Sequence, residues 1–304
     1  VREKEEYRSY IAQVYEYKPA PGQFINDLPL YAEGDGEAAM LAKTNESIAA
    51  AGATMISLGG FGGYVVFGFD HTVLNLPGKR DFRVQGNTFW SDNPDYASKR
   101  GGSSEPGVVM VAYDRNGNDL PDEDEWYEIA GSEYANPATI HDYRITYYKP
   151  DPAKQPVRGP ENWQADIEHV RWEDNQGGSG YMIQNNFNNH SLLYWPQWTE
   201  AGSLTFKGTR LPDNGEDSNG QGTYYVLYAF GYGYADNAPN ADDDSAIDIG
   251  WAVDAQGNKV DLPGIDFVKV YSGINQECGW LGESSTEVAG AVDLHLKGVS
   301  IPSE

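Results

Sequence analysis

Cysteine is nearly absent: Cys278 is the only one in 304 residues. A single thiol excludes an internal disulfide framework and a cysteine-ligated zinc cluster, and its default role is that of a small buried hydrophobe. Positive charge is also scarce, with 21 Lys plus Arg against 46 Asp plus Glu and a net charge of −25. A field of that sign repels nucleic acid and anionic membrane surfaces. It suits a secreted or surface protein that holds metal ions, although solubility alone accounts for it as well. No apolar run approaches the ~18 residues that a membrane helix needs. Catalytic signatures are missing too. There is no Gly-x-Ser-x-Gly elbow, and His71, His141, His169, His190 and His295 are scattered without a helix-spaced metal pair. Asp166 and Glu168 fall on one face of a strand and imitate a glycosidase pair, but such carboxylates normally come from separate strands. An enzyme therefore ranks below a binding protein.

What is abundant points to β-structure. Tyr (21) and Trp (8) together outnumber Phe (10), and 35 Gly with 17 Pro supply many turns. This composition predicts an all-β protein with long ordered loops. Strand-like runs fall at 54–58, 64–69, 81–86, 108–113, 126–129, 140–148, 223–228 and 265–271, and 170–173 with 180–183 reads as a hairpin. One helix is predicted near 36–51, where Met40, Leu41, Thr44 and Ile48 share a face, with Asp35 as N-cap and Gly52 as stop. Gly59, Gly60, Gly62 and Gly63 precede a β-branched strand rather than a helix, so they indicate close strand packing instead of a phosphate loop. Residues 1–20, charged and closed by Pro19 and Pro21, read as a leader or a linker from an upstream module. Residues 21–304 then form one domain, with 130–230 as an insertion-rich elaboration. No repeat of fixed period appears, which disfavours propellers and solenoids.

The most specific pattern is Asp114-Arg115-Asn116-Gly117-Asn118-Asp119-Leu120-Pro121-Asp122-Glu123-Asp124-Glu125. Ca²⁺ takes about six to eight hard oxygen ligands, and a tight twelve-residue loop can fold them around one ion. Asp114, Asn116 and Asn118 would offer side-chain oxygens, Leu120 its carbonyl, Asp122 a direct or water-mediated contact, and Glu125 a bidentate carboxylate. The sixth place holds Asp119 where an EF-hand has Gly, and Asp tolerates the left-handed backbone that the turn needs. Both flanks are strand-like, so this is a calcium loop between strands and a structural pin rather than a sensor. A solvated acidic turn is the alternative.

Three segments occur in a recognisable order: residues 63–70, 81–89 and the run Ser104-Glu105-Pro106-Gly107 that opens 104–111. With 247–254, 260–270 and Gly282-Glu283-Ser284-Ser285-Thr286-Glu287-Val288, they resemble a family of secreted bacterial β-jelly-roll domains. The resemblance covers most of residues 54–296 and implies a jelly-roll-type β-sandwich with long loop insertions and one short N-terminal helix. Within that family the chain is most similar to cell-surface lipoproteins of gut Bacteroidota, some encoded beside vitamin B12 uptake genes. That resemblance implies an outer-membrane lipoprotein, its signal and lipidated Cys trimmed away, that presents a ligand to a TonB-dependent transporter.

Two further groups bear on binding. The acidic run from Asp236 through Asp242, Asp243 and Asp244 to Asp248 suits either a second Ca²⁺ or a solvated loop, and Glu105 and Asp70 could join a metal site across the sheet. Tyr194, Trp195 and Trp198 form an aromatic loop, and Trp90, Tyr96 and Trp280 sit in loop-like contexts. Flat aromatic faces stack on sugars, corrin rings or nucleobases alike, so these six are the expected ligand contacts. The resulting expectation is a non-catalytic, calcium-stabilised surface binder. A cobamide is its first ligand, a glycan bound by a carbohydrate-binding module or adhesin its second, and glycan hydrolysis ranks third.

Overall fold

The computed structural model describes residues 6–49, 54–187 and 190–303. It is an all-β sandwich with two short helices among the described residues. The central sheet is antiparallel and runs Gln13–Lys18, Tyr64–Leu74, Gly264–Ser272, Gly107–Ala112, Trp126–Ile129, Ala252–Val253, with Tyr234–Ala235 also paired to Gly107–Ala112. Its middle strand, Gly264–Ser272, sets Val268 opposite Phe67 on one side and Val111 on the other. Alternation along these strands divides the apolar side chains between two cores, because successive side chains point to opposite faces. Val65, Phe67, Val109, Val111, Val268 and Val270 face one core, which Ile56, Phe82, Val84, Val288 and Ala291 close from short outer strands, with Leu58 beside them. Val108 and Tyr271 face the other.

That second core is covered by a four-stranded antiparallel sheet, Ser179–Asn185, Gln164–Asp174, Ile140–Tyr148 and Ser203–Arg210, which supplies Tyr143, Ile145, Tyr147, Val170 and Phe206. The central sheet is therefore covered on both faces. The glycines before Tyr64 serve close packing, as their sequence context indicates. A Cβ on Gly60 would lie 3.0 Å from the Tyr147 hydroxyl, and Gly63 abuts the Leu58 carbonyl and the Ala20 amide.

Two boundaries differ from the sequence reading. Gln13–Lys18, placed there in a leader, is an edge strand of the central sheet, with Tyr17 buried. Its charged outer face disguised a strand whose inward residues are Val14 and Tyr17. The helix spans Glu37–Ile48 and buries Met40, Thr44 and Ile48 as expected, but its N-cap is Gly36. Asp35 instead accepts from the Ala32 amide and the Lys43 ammonium. The expected stop at Gly52 lies outside the described residues.

Candidate functional site

The loop at 114–125 bridges Gly107–Ala112 and Trp126–Ile129, neighbours in the central sheet. Asp114 organises it: Oδ1 accepts from the Gly117 and Asn118 amides at 2.7 and 3.2 Å, and Oδ2 from the Asp119 amide at 2.9 Å. Asp119 stands at φ +59, the left-handed turn that the sixth place requires. Asn116 and Asn118 both turn their amides onto Asp122 Oδ2, at 2.7 and 2.9 Å. Three of the expected ligand residues thus converge, with the two amide nitrogens meeting Asp122; a reversed amide would present Asn116 Oδ1 there, whereas Asn118 Oδ1 is held by the Leu120 amide. Leu120 is exposed, and its amide donates to Asn118 Oδ1. Glu125 closes the loop with Oε1 accepting from the Arg115 amide at 2.9 Å. Its Oε2 is buried without a partner, although the residue is only 2% exposed. An unpaired buried carboxylate oxygen is costly, and a cation is the usual partner for one.

A second acidic site joins residues far apart in the chain. Glu105, Asp236 and Glu287 each offer a carboxylate oxygen, and these oxygens lie within 4.8 Å of one another. Asp236 Oδ1 accepts from the Asn87 and Thr88 amides and the Thr88 hydroxyl, and Oδ2 from the Glu287 amide. Ser285 donates its amide to Glu105 and its hydroxyl to Glu287. All these donors are neutral. Burial, reinforced by the mutual repulsion of the three, pushes Glu105 and Glu287 well above the ordinary carboxylate range. Asp236 is raised by burial too, against the pull of its donors, and it holds a left-handed φ of +50. Three oxygen donors of this kind fit a hard divalent cation such as Ca²⁺.

Asp236 meets Glu105, which the sequence offers for a metal site across the sheet, but not the rest of its own acidic run. The remainder of its acidic run disperses: Asp242 accepts from the Trp90 indole, Asp244 pairs with Arg100 at 2.6 Å, and Asp248 caps the Gly250 amide. Asp70 binds Arg8 and His71 rather than meeting Glu105. Glu287 was read only as part of a fold motif. Its signal was the polar run 283–287, which looks like surface yet is buried throughout. Asp166 is held by the Val157 and Glu168 amides beside Lys154, at a point where the strand register shifts.

The six expected ligand aromatics do not come together. Tyr194 and Trp195 are buried in the second core, where Tyr194 accepts from the Asn185 amide; their bulk fills the sheet edge instead of forming a rim. Trp198 stacks on Tyr17 and Tyr31 against the first core. Trp90 packs under Arg100, and Tyr96 lies on the short helix Pro94–Ala97. Trp280 alone stands on a platform, with Phe187 at 4.3 Å and Tyr224 at 6.0 Å between ring centroids, both of them exposed.

Trp280 lies at the tip of a hairpin closed by Cys278 amide to Gly282 carbonyl and Ser284 amide to Gln276 carbonyl bonds. At its base, Glu277 and Glu283 pair directly across an antiparallel bridge. Both line a pocket of about 140 Å³ together with Phe61, Trp172, Tyr181 and Met182. Cys278 itself is a buried free thiol. No protein-family model and no curated protein matches the chain.

Proposed function

We propose that the chain is a non-catalytic ligand-binding protein of the bacterial cell surface, with a β-sandwich pinned by Ca²⁺ at the 114–125 loop and at Glu105, Asp236 and Glu287. The observation that carries the binding role is the Phe187–Trp280–Tyr224 platform, since adjoining exposed aromatic side chains cost solvation unless a ligand covers them. A flat, largely apolar ligand suits such a surface, and the resemblance to lipoproteins of B12 uptake loci makes a cobamide its first candidate, for delivery to a TonB-dependent transporter. A glycan is the second reading. It is favoured by the polar turn joined to Trp280, where the Asn219 amide donates to the Thr223 hydroxyl and the Trp280 amide donates to the Thr223 carbonyl. Hydrolysis ranks lower because Asp166, the better-placed member of the strand pair, is already engaged by two amides and lies 3.6 Å from Lys154.

Calorimetry with cyanocobalamin and with a glycan panel separates these readings. Binding of one class is expected, weakened at least about tenfold by Trp280→Ala, the size of effect typical of a central aromatic contact. Silence with every corrinoid and glycan at micromolar protein would sink the proposal, and turnover of a glycan would make the protein an enzyme.

A further inference from the structure

The base of the Trp280 hairpin presents a problem that the aromatic platform does not solve. Glu277 and Glu283 sit directly opposite each other across an antiparallel bridge, where side chains share a face and like charges destabilise. Each carboxylate has one protein amide as donor. Glu277 Oε1 accepts from the Ile183 amide at 3.0 Å and Glu283 Oε1 from the Gln23 amide at 2.7 Å. Glu283 Oε2 is buried with no partner, in a residue 5% exposed. No Lys, Arg or His is among the described residues that line the pocket. The nearby cations are engaged elsewhere, Arg210 by Asp213 and the Asn275 carbonyl, and Lys154 by the Glu168 carbonyl and Asp166. Burial pushes Glu277 up to about 8 and Glu283 well above its ordinary value, with Glu277 adding to the latter. The remaining walls include the rings of Phe61, Trp172 and Tyr181 and the thioether of Met182.

We infer that this pocket is a binding site for a small organic cation, a primary ammonium or guanidinium group on a short apolar body, held between Glu277 and Glu283. One positive charge would draw the two carboxylates, which burial otherwise holds protonated, into their ionised forms and offset their repulsion there; its N–H groups would satisfy Glu283 Oε2, and the aromatic lining would add cation–π attraction. A space of about 140 Å³ takes a body near the size of benzene. A neutral polyol would fill the same space and leave the charge problem intact. The site is separate from the platform at the hairpin tip, so it stands or falls independently of the cobamide and glycan readings.

Met182 supplies the readout, because it lines the pocket and the chain has only four methionines. Protein labelled with ¹³C at the methionine methyls is titrated in calcium-containing buffer with butylamine, butylguanidine and, as neutral counterpart, butanol. The two cations should shift the Met182 methyl at least tenfold more tightly than butanol does. Glu283→Gln should abolish that preference, while Trp280→Ala should leave it in place. The methyls of Met40, Met55 and Met110 report whether each variant stays folded. Equal binding of butanol would reduce the site to an apolar cavity, and displacement of the amines by added Ca²⁺ would make it a metal site. No shift with any probe would overturn the inference outright.

Discussion

At the scale of single residues, the buried carboxylates depend on neighbours that keep space for them. Gly86 is the clearest case: a Cβ there would sit 2.6 Å from Asp236 Cγ and overlap Oδ1 more closely still. Gly86→Ala should therefore displace Asp236 and destabilise the fold by about 1–3 kcal/mol, the usual cost of overpacking. It should also reduce the thermal shift that Ca²⁺ produces, whereas Gly78→Ala, with open space around its Cβ and a left-handed φ of +70 that strains an alanine, should lower stability and leave the Ca²⁺ shift intact. Melting curves of both variants with and without Ca²⁺ check this; equal Ca²⁺ shifts in Gly86→Ala and wild type would count against the cluster. Little of this site was legible in the sequence. Glu105, Asp236 and Glu287 lie in three separated segments, and period-two patterning assigns inward positions by apolarity, so a buried carboxylate reads as exposed. The aromatics failed for the converse reason. Tyr194 and Trp195 lie in a Pro-containing loop that looks solvent-facing, yet a second sheet covers them, and no local pattern announces that cover.

At the scale of elements, the longer interior strands of the central sheet and the helix Glu37–Ile48 were legible because their pattern is strong. Gly264–Ser272, for example, carries Ile265, Phe267, Val268, Val270 and Tyr271, all buried, and only Asp266 and Lys269 interrupt the strand-forming run. The edge strand Gln13–Lys18 was missed because half its residues are charged or polar and a proline pair follows. The place of the 114–125 loop between two strands was also legible, since its flanks are local apolar and aromatic runs. Its internal hydrogen bonds supply a prediction that separates shape from charge. Asp114→Ala removes the acceptor of three loop amides and should lower the melting temperature with or without Ca²⁺. Glu125→Gln keeps an acceptor for the Arg115 amide but weakens the 3.7 Å ion pair with the Arg115 guanidinium, so it should lower the melting temperature slightly without Ca²⁺ and more in its presence. If Glu125→Gln responds to Ca²⁺ as the wild type does, the loop is a solvated turn.

At the scale of the whole molecule, the net charge of −25 and the raised carboxylates combine into a pH dependence with a definite sign. Glu277 and Glu128, pushed by burial up to about 8 and about 7, and Glu105, Asp236, Glu283 and Glu287, all raised, hold protons in the folded state that the unfolded chain releases near its ordinary carboxylate range of about 4. Above that range the folded state binds more protons, so stability falls as pH rises, and Glu277's share of the penalty is fully present above about 8. Below the ordinary range both states are protonated and the contribution is level. Protein stripped of divalent cations should therefore melt lower at pH 8 than at pH 5. A cation at Glu105, Asp236 and Glu287 favours their ionised forms, which removes part of that penalty. The gain in melting temperature from millimolar Ca²⁺ should accordingly grow between pH 5 and pH 8, by at least about 3 °C. Glu287→Gln takes one charge out of the buried cluster and leaves the 114–125 loop untouched. In that variant the gain should lose most of its pH dependence while the loop's share persists. A wild-type gain that stays flat across the range would place the cation in the loop alone, and the buried carboxylates would then be held neutral by their own protons.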